Sequence, residues 1–198
     1  MLKDYTTIRT GAVLSRKEAK GEASAYQYSA LTLKALSADG TIAHDATEAY
    51  FAGTELKRDY FTGCGDVLLR LTAPYTATVI TKEDKGLLVS SHFAIIRASN
   101  NVNPWYLCWW LMQNRKKFYL AASGSVLLGT ISSGLIGSLP FEPPSRKKQD
   151  IIAEVIRLAA RERQLLKLKS EKQELLINAQ LKKLLNSLNL EDAQNDNP

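Results

Sequence analysis

Few side chains in this sequence have the type and spacing to do chemistry. The two histidines are the natural starting point. His44 lies in a polar stretch, and His92 stands between Ser91 and Phe93 in a strand-like run. A Ser–His nucleophile pair needs an orienting acid and an oxyanion loop, and no pattern for either accompanies them. A small hydrolase using His44 or His92 is therefore the weakest of three readings. Ser145-Arg146-Lys147-Lys148 matches the bare Ser-x-x-Lys string of penicillin-binding enzymes, but none of their other signatures follow. Helix capping accounts for that serine. Asp66, after Gly63-Cys64-Gly65, is better read as a turn-stabilising aspartate than as a catalytic carboxylate.

The Gly/Ser-rich segment from Ala121 to Gly137 is only superficially a phosphate cradle. It contains neither Gly-x-x-x-x-Gly-Lys-Ser/Thr nor Gly-x-Gly-x-x-Gly. A close-packed turn and a short strand ending at Leu139-Pro140-Phe141 are expected instead. Cys64 and Cys108 sit among apolar neighbours without metal-ligand spacing and read as reduced core residues. No cofactor and no metal is expected, and the chain reads as a non-enzyme by itself.

The elements that would position any site fall into two kinds. Up to about residue 100 the pattern is β-rich. Short runs at 8–14, 25–31, 67–71, 76–80, 87–89 and 93–97 are separated by the turn signals Asp39-Gly40, Gly63-Cys64-Gly65-Asp66, Ala73-Pro74 and Asp84-Lys85-Gly86. Asn103 and Pro104 then open a helix as cap and first residue. Its stripe of Trp105, Trp109 and Met112 is expected to pack against the sheet. Pro143-Pro144 breaks the chain before a long helix that begins at Ser145 and runs to about Leu188, without Gly or Pro. At that length it would span about 65 Å. Its apolar positions recur at three, four and seven, with Glu162 and Lys172 on the stripe, which makes a loose coiled-coil face. Such a helix needs a partner.

Charge sharpens the division. Of 26 basic and 20 acidic residues, 15 and 12 fall in residues 1–145, and 11 and 5 in residues 146–190. A basic surplus suits a polyanion, and solvated charge explains it equally well. No signal-peptide pattern opens the chain and no apolar run reaches bilayer length, so a cytoplasmic protein without a membrane partner is expected.

Taken in order, Gly65-Asp66-Val67-Leu68-Leu69, Phe93-Ala94-Ile95-Ile96-Arg97, Pro104-Trp105-Tyr106-Leu107, Gly129-Thr130-Ile131-Ser132, Leu139-Pro140-Phe141-Glu142-Pro143-Pro144 and Gln149-Asp150-Ile151-Ile152-Ala153 resemble successive landmarks of the specificity subunits of type I restriction–modification enzymes. The resemblance covers essentially the whole chain. It departs at Lys148, where the family often has Glu before the Gln, and in holding one recognition domain and one helix where such subunits usually hold two of each. It implies an α+β fold: a β-rich target-recognition domain at 1–144 with a few packed helices, one long coiled-coil-forming C-terminal helix at 145–190, and a polar tail at 191–198.

The function implied is sequence-specific binding of double-stranded DNA at a bipartite site. The partners implied are a DNA adenine methyltransferase subunit carrying S-adenosylmethionine, a restriction/translocase subunit, and a second copy of the chain. DNA contacts are expected from Arg16, Lys17, Lys20, Lys57, Arg58, Arg70, Lys82 and Lys85, with Tyr26, Tyr28 and Tyr75 against sugar or bases. Ile152, Val155, Ile156, Ala159, Leu165, Leu166, Leu176 and Ala179 are expected to form the dimerisation face. The third reading, a coiled-coil assembly adaptor without direct DNA recognition, differs in predicting dimerisation without salt-dependent DNA binding.

Overall fold

The computed structural model describes residues 1–19, 26–123 and 129–195, the side chains beyond 186 excepted. The chain divides into two compact units, Met1–Glu154 and the segment from Val155 onward.

The first unit is α+β, with two sheets. One sheet has the order β1-β7-β4-β5, formed by β1 (Thr6–Thr10), β7 (Phe93–Ala98), β4 (Val67–Arg70) and β5 (Ala77–Val79), all antiparallel. The other has the order β3-β2-β6, from β3 (Glu48–Ala52), β2 (Tyr26–Leu31) and β6 (Leu88–Val89). Here β2 pairs antiparallel with β3 and parallel with β6.

Phe93, Ala94, Ile95 and Ile96 are all buried, so β7 shows no polar alternation. The reason is that its sheet is covered on both faces. Val67, Leu69, Ala94 and Ile96 face a core that includes Leu107 and Leu111 of helix α1 (Pro104–Gln113), Phe118 and Ala122 of α2 (Arg115–Ser123) and Ile136 of α3 (Ser133–Gly137). Leu68, Phe93 and Ile95 face a second core that they share with Leu31 and Val89 of the other sheet. Each large aliphatic side chain buried this way contributes roughly 1.5–3 kcal/mol of transfer free energy. The opposite face of β2, β3 and β6 closes a third cluster around Ala30, Tyr50, Ala52 and Leu88.

Gly11 links the sheets. Its N–H donates to the Phe93 carbonyl at 3.0 Å, and the next residue, Ala12, donates to Val89 at 2.8 Å. A Cβ at Gly11 would lie 2.3 Å from the Ser90 carbonyl oxygen and 2.5 Å from that of Val89. Only glycine fits where the chain leaves one sheet to run beside the other.

Helix α1 starts as its sequence predicts: Asn103 Oδ1 accepts from the Trp105 N–H at 2.9 Å, and Pro104 is the first helical residue. Its buried side, however, is Tyr106, Leu107 and Leu111. Trp105 and Met112 are partly buried, and Trp109 turns outward. The fully buried side thus centres about 170° round the helix from the expected Trp105–Trp109–Met112 stripe. Three further expectations are corrected. A strand at Glu48–Ala52 goes unread in the sequence. Of residues 121–141, 124–128 lie outside the described residues; the rest hold the end of α2, a turn at Gly129 with a single bridge from Thr130 to Thr72, and the short α3, with Leu139–Phe141 outside any strand. Cys64 is exposed, not core. Cys108 is half-buried against the helix-side core, and burial pushes its thiol up to about 12, so it stays protonated at neutral pH.

Helix α4 runs from Arg146 to Asn195, beyond the expected end near Leu188. Fifty residues of helix measure about 75 Å.

Candidate nucleic-acid interface

Six of the expected DNA-contact residues gather at one end of the β2–β3 hairpin. The segment carrying Arg16 and Lys17 runs along β3, with a Glu18–Ala52 bridge and the Ala19 N–H donating to the Phe51 carbonyl at 2.9 Å. Lys17 Nζ lies 5.5 Å from the centre of the Tyr60 ring. Tyr26 is exposed and stacks on Tyr28, with centroids 6.4 Å apart and planes 5° from parallel. Tyr28 is half-buried; its hydroxyl accepts from the Leu56 N–H at 3.3 Å, and its ring leans on Phe61. Lys57 and Arg58 are exposed at the start of the one-turn helix Arg58–Tyr60. Lys20 lies outside the described residues.

The other expected contacts stand apart from this group. Lys82 and Lys85 are exposed on the turn that leads to β6, next to buried Asp84, whose carboxylate bonds His44 Nε2 at 2.9 Å. Arg70 is half-buried at the end of β4, its Nε donating to Thr72 Oγ1 at 3.1 Å. Tyr75 is withdrawn from the set. It is 1% exposed, its hydroxyl donates to the Gly129 carbonyl at 2.9 Å, and Phe118 and Tyr119 cover its ring. No ring face remains for a sugar or base.

Sequence reading missed the open face of the same hairpin. Strand alternation places Tyr50 and Ala52 inside and Phe51 and Ala49 outside. On β2 it leaves Gln27 and Ser29 outside, and the register sets Gln27 opposite Phe51. Phe51 is 44% exposed beside a primary amide. Those are groups that fit base edges: glutamine offers a donor and an acceptor to adenine, and an apolar ring suits a thymine methyl. A two-stranded ribbon is also narrow enough for the major groove. The signal was available as the alternation in Glu48–Ala52, but that run contains only one strongly β-forming pair, Tyr50-Phe51.

The root of α4 is fixed by polar contacts centred on Gln149. Gln149 is 1% exposed. Its Oε1 accepts from the Asn103 N–H at 2.9 Å, while Nε2 donates to the carbonyls of Pro144 at 2.8 Å and Asn101 at 3.1 Å. Asn103 Nδ2 donates to Asp150 at 2.7 Å, and Arg146 Nε donates to the same carboxylate at 2.8 Å. The hydrogen bond from Arg146, with that from Asn103, holds the Asp150 carboxyl below its ordinary value. A lowered value in the folded state means stability that is present above the ordinary carboxylate range and lost as pH falls through the folded value. Asp150→Asn should therefore lower the thermal midpoint at neutral pH, and that difference should close on acidification. Melting curves from neutral to acid pH test this; a gap independent of pH would refute it.

The dimerisation residues divide in the same way. Ile152 packs against the helix-side core of the first unit and is withdrawn from the dimer face. Ile156 and Ala159 are half-buried, whereas Val155, Leu165, Leu166, Leu176 and Ala179 are exposed. Leu165, Leu168 and Leu176 line a shallow groove of about 360 Å³ along the helix with Lys169, Lys172 and Gln173. At about 100° per residue, Leu176 falls within roughly 20° of Leu165, while Leu166 lies about 100° round.

The fold is shared with solved structures. One match is a chain from work on the structural basis of complex assembly and conformational transition of the type I R-M system. Its TM-score is 0.56 at 16% identity, over 92% of this chain and 42% of that one. Another is the HsdS subunit from Thermoanaerobacter tengcongensis, with TM-score 0.54 and 13% identity, over 81% of this chain and 36% of that one. The chain has an HsdS-like fold, and it spans less than half the length of the structures it matches. No family model and no curated protein matches the sequence. Among the described residues, no helix is long and apolar enough to cross a membrane.

Proposed function

We propose that this chain is a non-catalytic DNA-specificity subunit of a type I restriction–modification system, acting as one half of a bipartite reader. The observation that supports this most is the extent of the likeness, which runs over 92% of this chain and 42% of a longer chain from a type I R-M structure. The unit at 1–144 reads one half-site, with the β2–β3 hairpin as its base-reading ribbon and Arg16, Lys17, Lys57 and Arg58 on the flanking phosphates. The helix at 145–190 pairs with a second copy, leaving 191–198 as a polar tail. Two copies related by a two-fold axis then read an inverted repeat whose gap depends on the helix. Chemistry comes from the methyltransferase partner, which carries S-adenosylmethionine and takes the target adenine out of the stack. A restriction/translocase subunit completes the system.

Co-expression with a type I modification (methyltransferase) subunit of the same organism, followed by genome-wide mapping of methylated adenines, tests the reading. The expected result is a split, palindromic motif. Methylation without a motif, or none at all, would overturn it. The adaptor reading has an observation of its own in the exposed leucines of α4. Its signature is a dimer with no salt-dependent affinity for duplex DNA.

A further inference from the structure

Between Asp84 and Glu142 the sequence contains no acidic residue, and its cations are Lys85, Arg97, Arg115, Lys116 and Lys117. Arg97 is neutralised, since its guanidinium bonds Asp66 at 3.2 Å and Asp59 at 3.5 Å. Three of the others stand side by side on the first turn of α2. Lys116 and Lys117 are exposed, and no ion pair engages either among the described residues.

Two opposed dipole ends meet there: the first turn of α2 disfavours cations, the C-terminal carbonyls of α1, one of which accepts from Arg115, favour them, and the three neighbouring cations repel one another. The turn is nevertheless held firmly. Phe118 and Ala122 bury the inner side of α2, Tyr119 packs edge-on against Tyr75, and Arg115 Nε donates to the Met112 carbonyl at 3.3 Å. Rigid placement of unpaired cations is how phosphate-contacting residues are presented, because the contact then costs little ordering. Beside them Leu120 is 75% exposed, and Tyr119 is also open, so the cations border an apolar surface able to lie on deoxyribose.

We propose that Lys116 and Lys117, supported by Arg115, form a second phosphate-binding surface for duplex DNA, separate from the β2–β3 hairpin and independent of sequence. This rests on the reading of the chain as a DNA-specificity subunit, and it assigns to α2 the task of holding the duplex while the hairpin reads it.

The test is binding of the full chain to a random-sequence duplex and to a duplex carrying the mapped methylation motif, over a salt series. Lys116→Gln with Lys117→Gln should weaken both by a similar factor, roughly 30-fold near physiological salt, and lower the slope of log affinity against log salt by about 1.8. The ratio between the two duplexes should stay unchanged. The helix should remain folded, since both side chains are exposed and its inner side is buried through Phe118 and Ala122. Unchanged affinity and slope in the double variant, with normal wild-type binding, would overturn the inference alone. Loss of methyltransferase co-purification with DNA affinity intact would also overturn it, by assigning the surface to an acidic protein partner. A wild-type chain without salt-dependent binding to either duplex would overturn the underlying reading instead.

Discussion

Gln149→Leu is expected to destabilise the first unit by on the order of 3–5 kcal/mol. The substitution keeps the volume and leaves three groups without their partner: the Asn103 N–H and the carbonyls of Pro144 and Asn101. These bonds are part-buried, with Asn101 itself exposed, so each group left unsatisfied costs about 1–2 kcal/mol, the lower part of the range for buried groups. A change of this size is a large fraction of a typical domain's total stability. All three tryptophans (Trp105, Trp109 and Trp110) lie on α1, directly after the Asn103 that Gln149 supports. Tryptophan fluorescence through a urea titration therefore reports the loss locally. A shift below about 1 kcal/mol would mean that these three bonds are individually dispensable. Gln149→Glu separates polarity from geometry. Its carboxylate can still accept from Asn103, but it sets negative charge against two carbonyl oxygens. Burial and those oxygens raise its protonation point above the ordinary glutamate value. Its folded form should thus be most stable at low pH, where the protonated acid donates one bond, and lose stability as pH rises through the raised value.

The second large effect concerns the proposed pairing of α4. Leu165→Gln with Leu176→Gln is expected to convert a dimer into a monomer at micromolar concentration, seen by sedimentation. In a two-fold pair each leucine appears twice, so four leave the interface. At about 1.5 kcal/mol or more apiece, that is roughly 6 kcal/mol, a loss of over 10⁴-fold in affinity. Glutamine preserves helix propensity and, unlike glutamate, cannot form new ion pairs with Lys169 or Lys172 of the facing helix. Leu166→Gln, on a different arc, should change little. A double variant that stays dimeric would refute pairing through this stripe. Cutting the chain after Pro144 is the less informative experiment. It removes Gln149 and the buried Ala153 together with the helix, so the remaining unit would be damaged for reasons unrelated to pairing.

What could be read from residues alone followed a physical division. Asn103-Pro104 starts α1 through local backbone chemistry, so its role is visible in two residues. The long α4 is legible because nothing in Arg146–Asn195 breaks a helix. The α2 start is hidden for the opposite reason: Arg115-Lys116-Lys117 lacks the usual acidic first turn, and the helix is held by the burial of Phe118 and Ala122 and by the bond from Arg115 to the end of α1. Tyr75 looked like any surface tyrosine. Its burial depends on Gly129, far away in the chain, accepting the hydroxyl. Gln149 was visible as a landmark, but a glutamine at a helix start says nothing of three distant backbone groups that converge on it. The hairpin cations were chosen for their charge, and tertiary pairing decided which of them stand together.

The crossing at Gly11 has a dynamic consequence. Because β6 and β7 are joined through the short Ser90–His92 turn yet belong to different sheets, and Leu31, Leu68, Val89 and Ile95 share one core, neither sheet can open while the other stays intact. Amide protons of β2 and of β4 should accordingly exchange through one common opening, in a single cooperative block with a shared free energy. A unit assembled this way has no soft seam between its β2–β3 hairpin and the sheet that carries its helices.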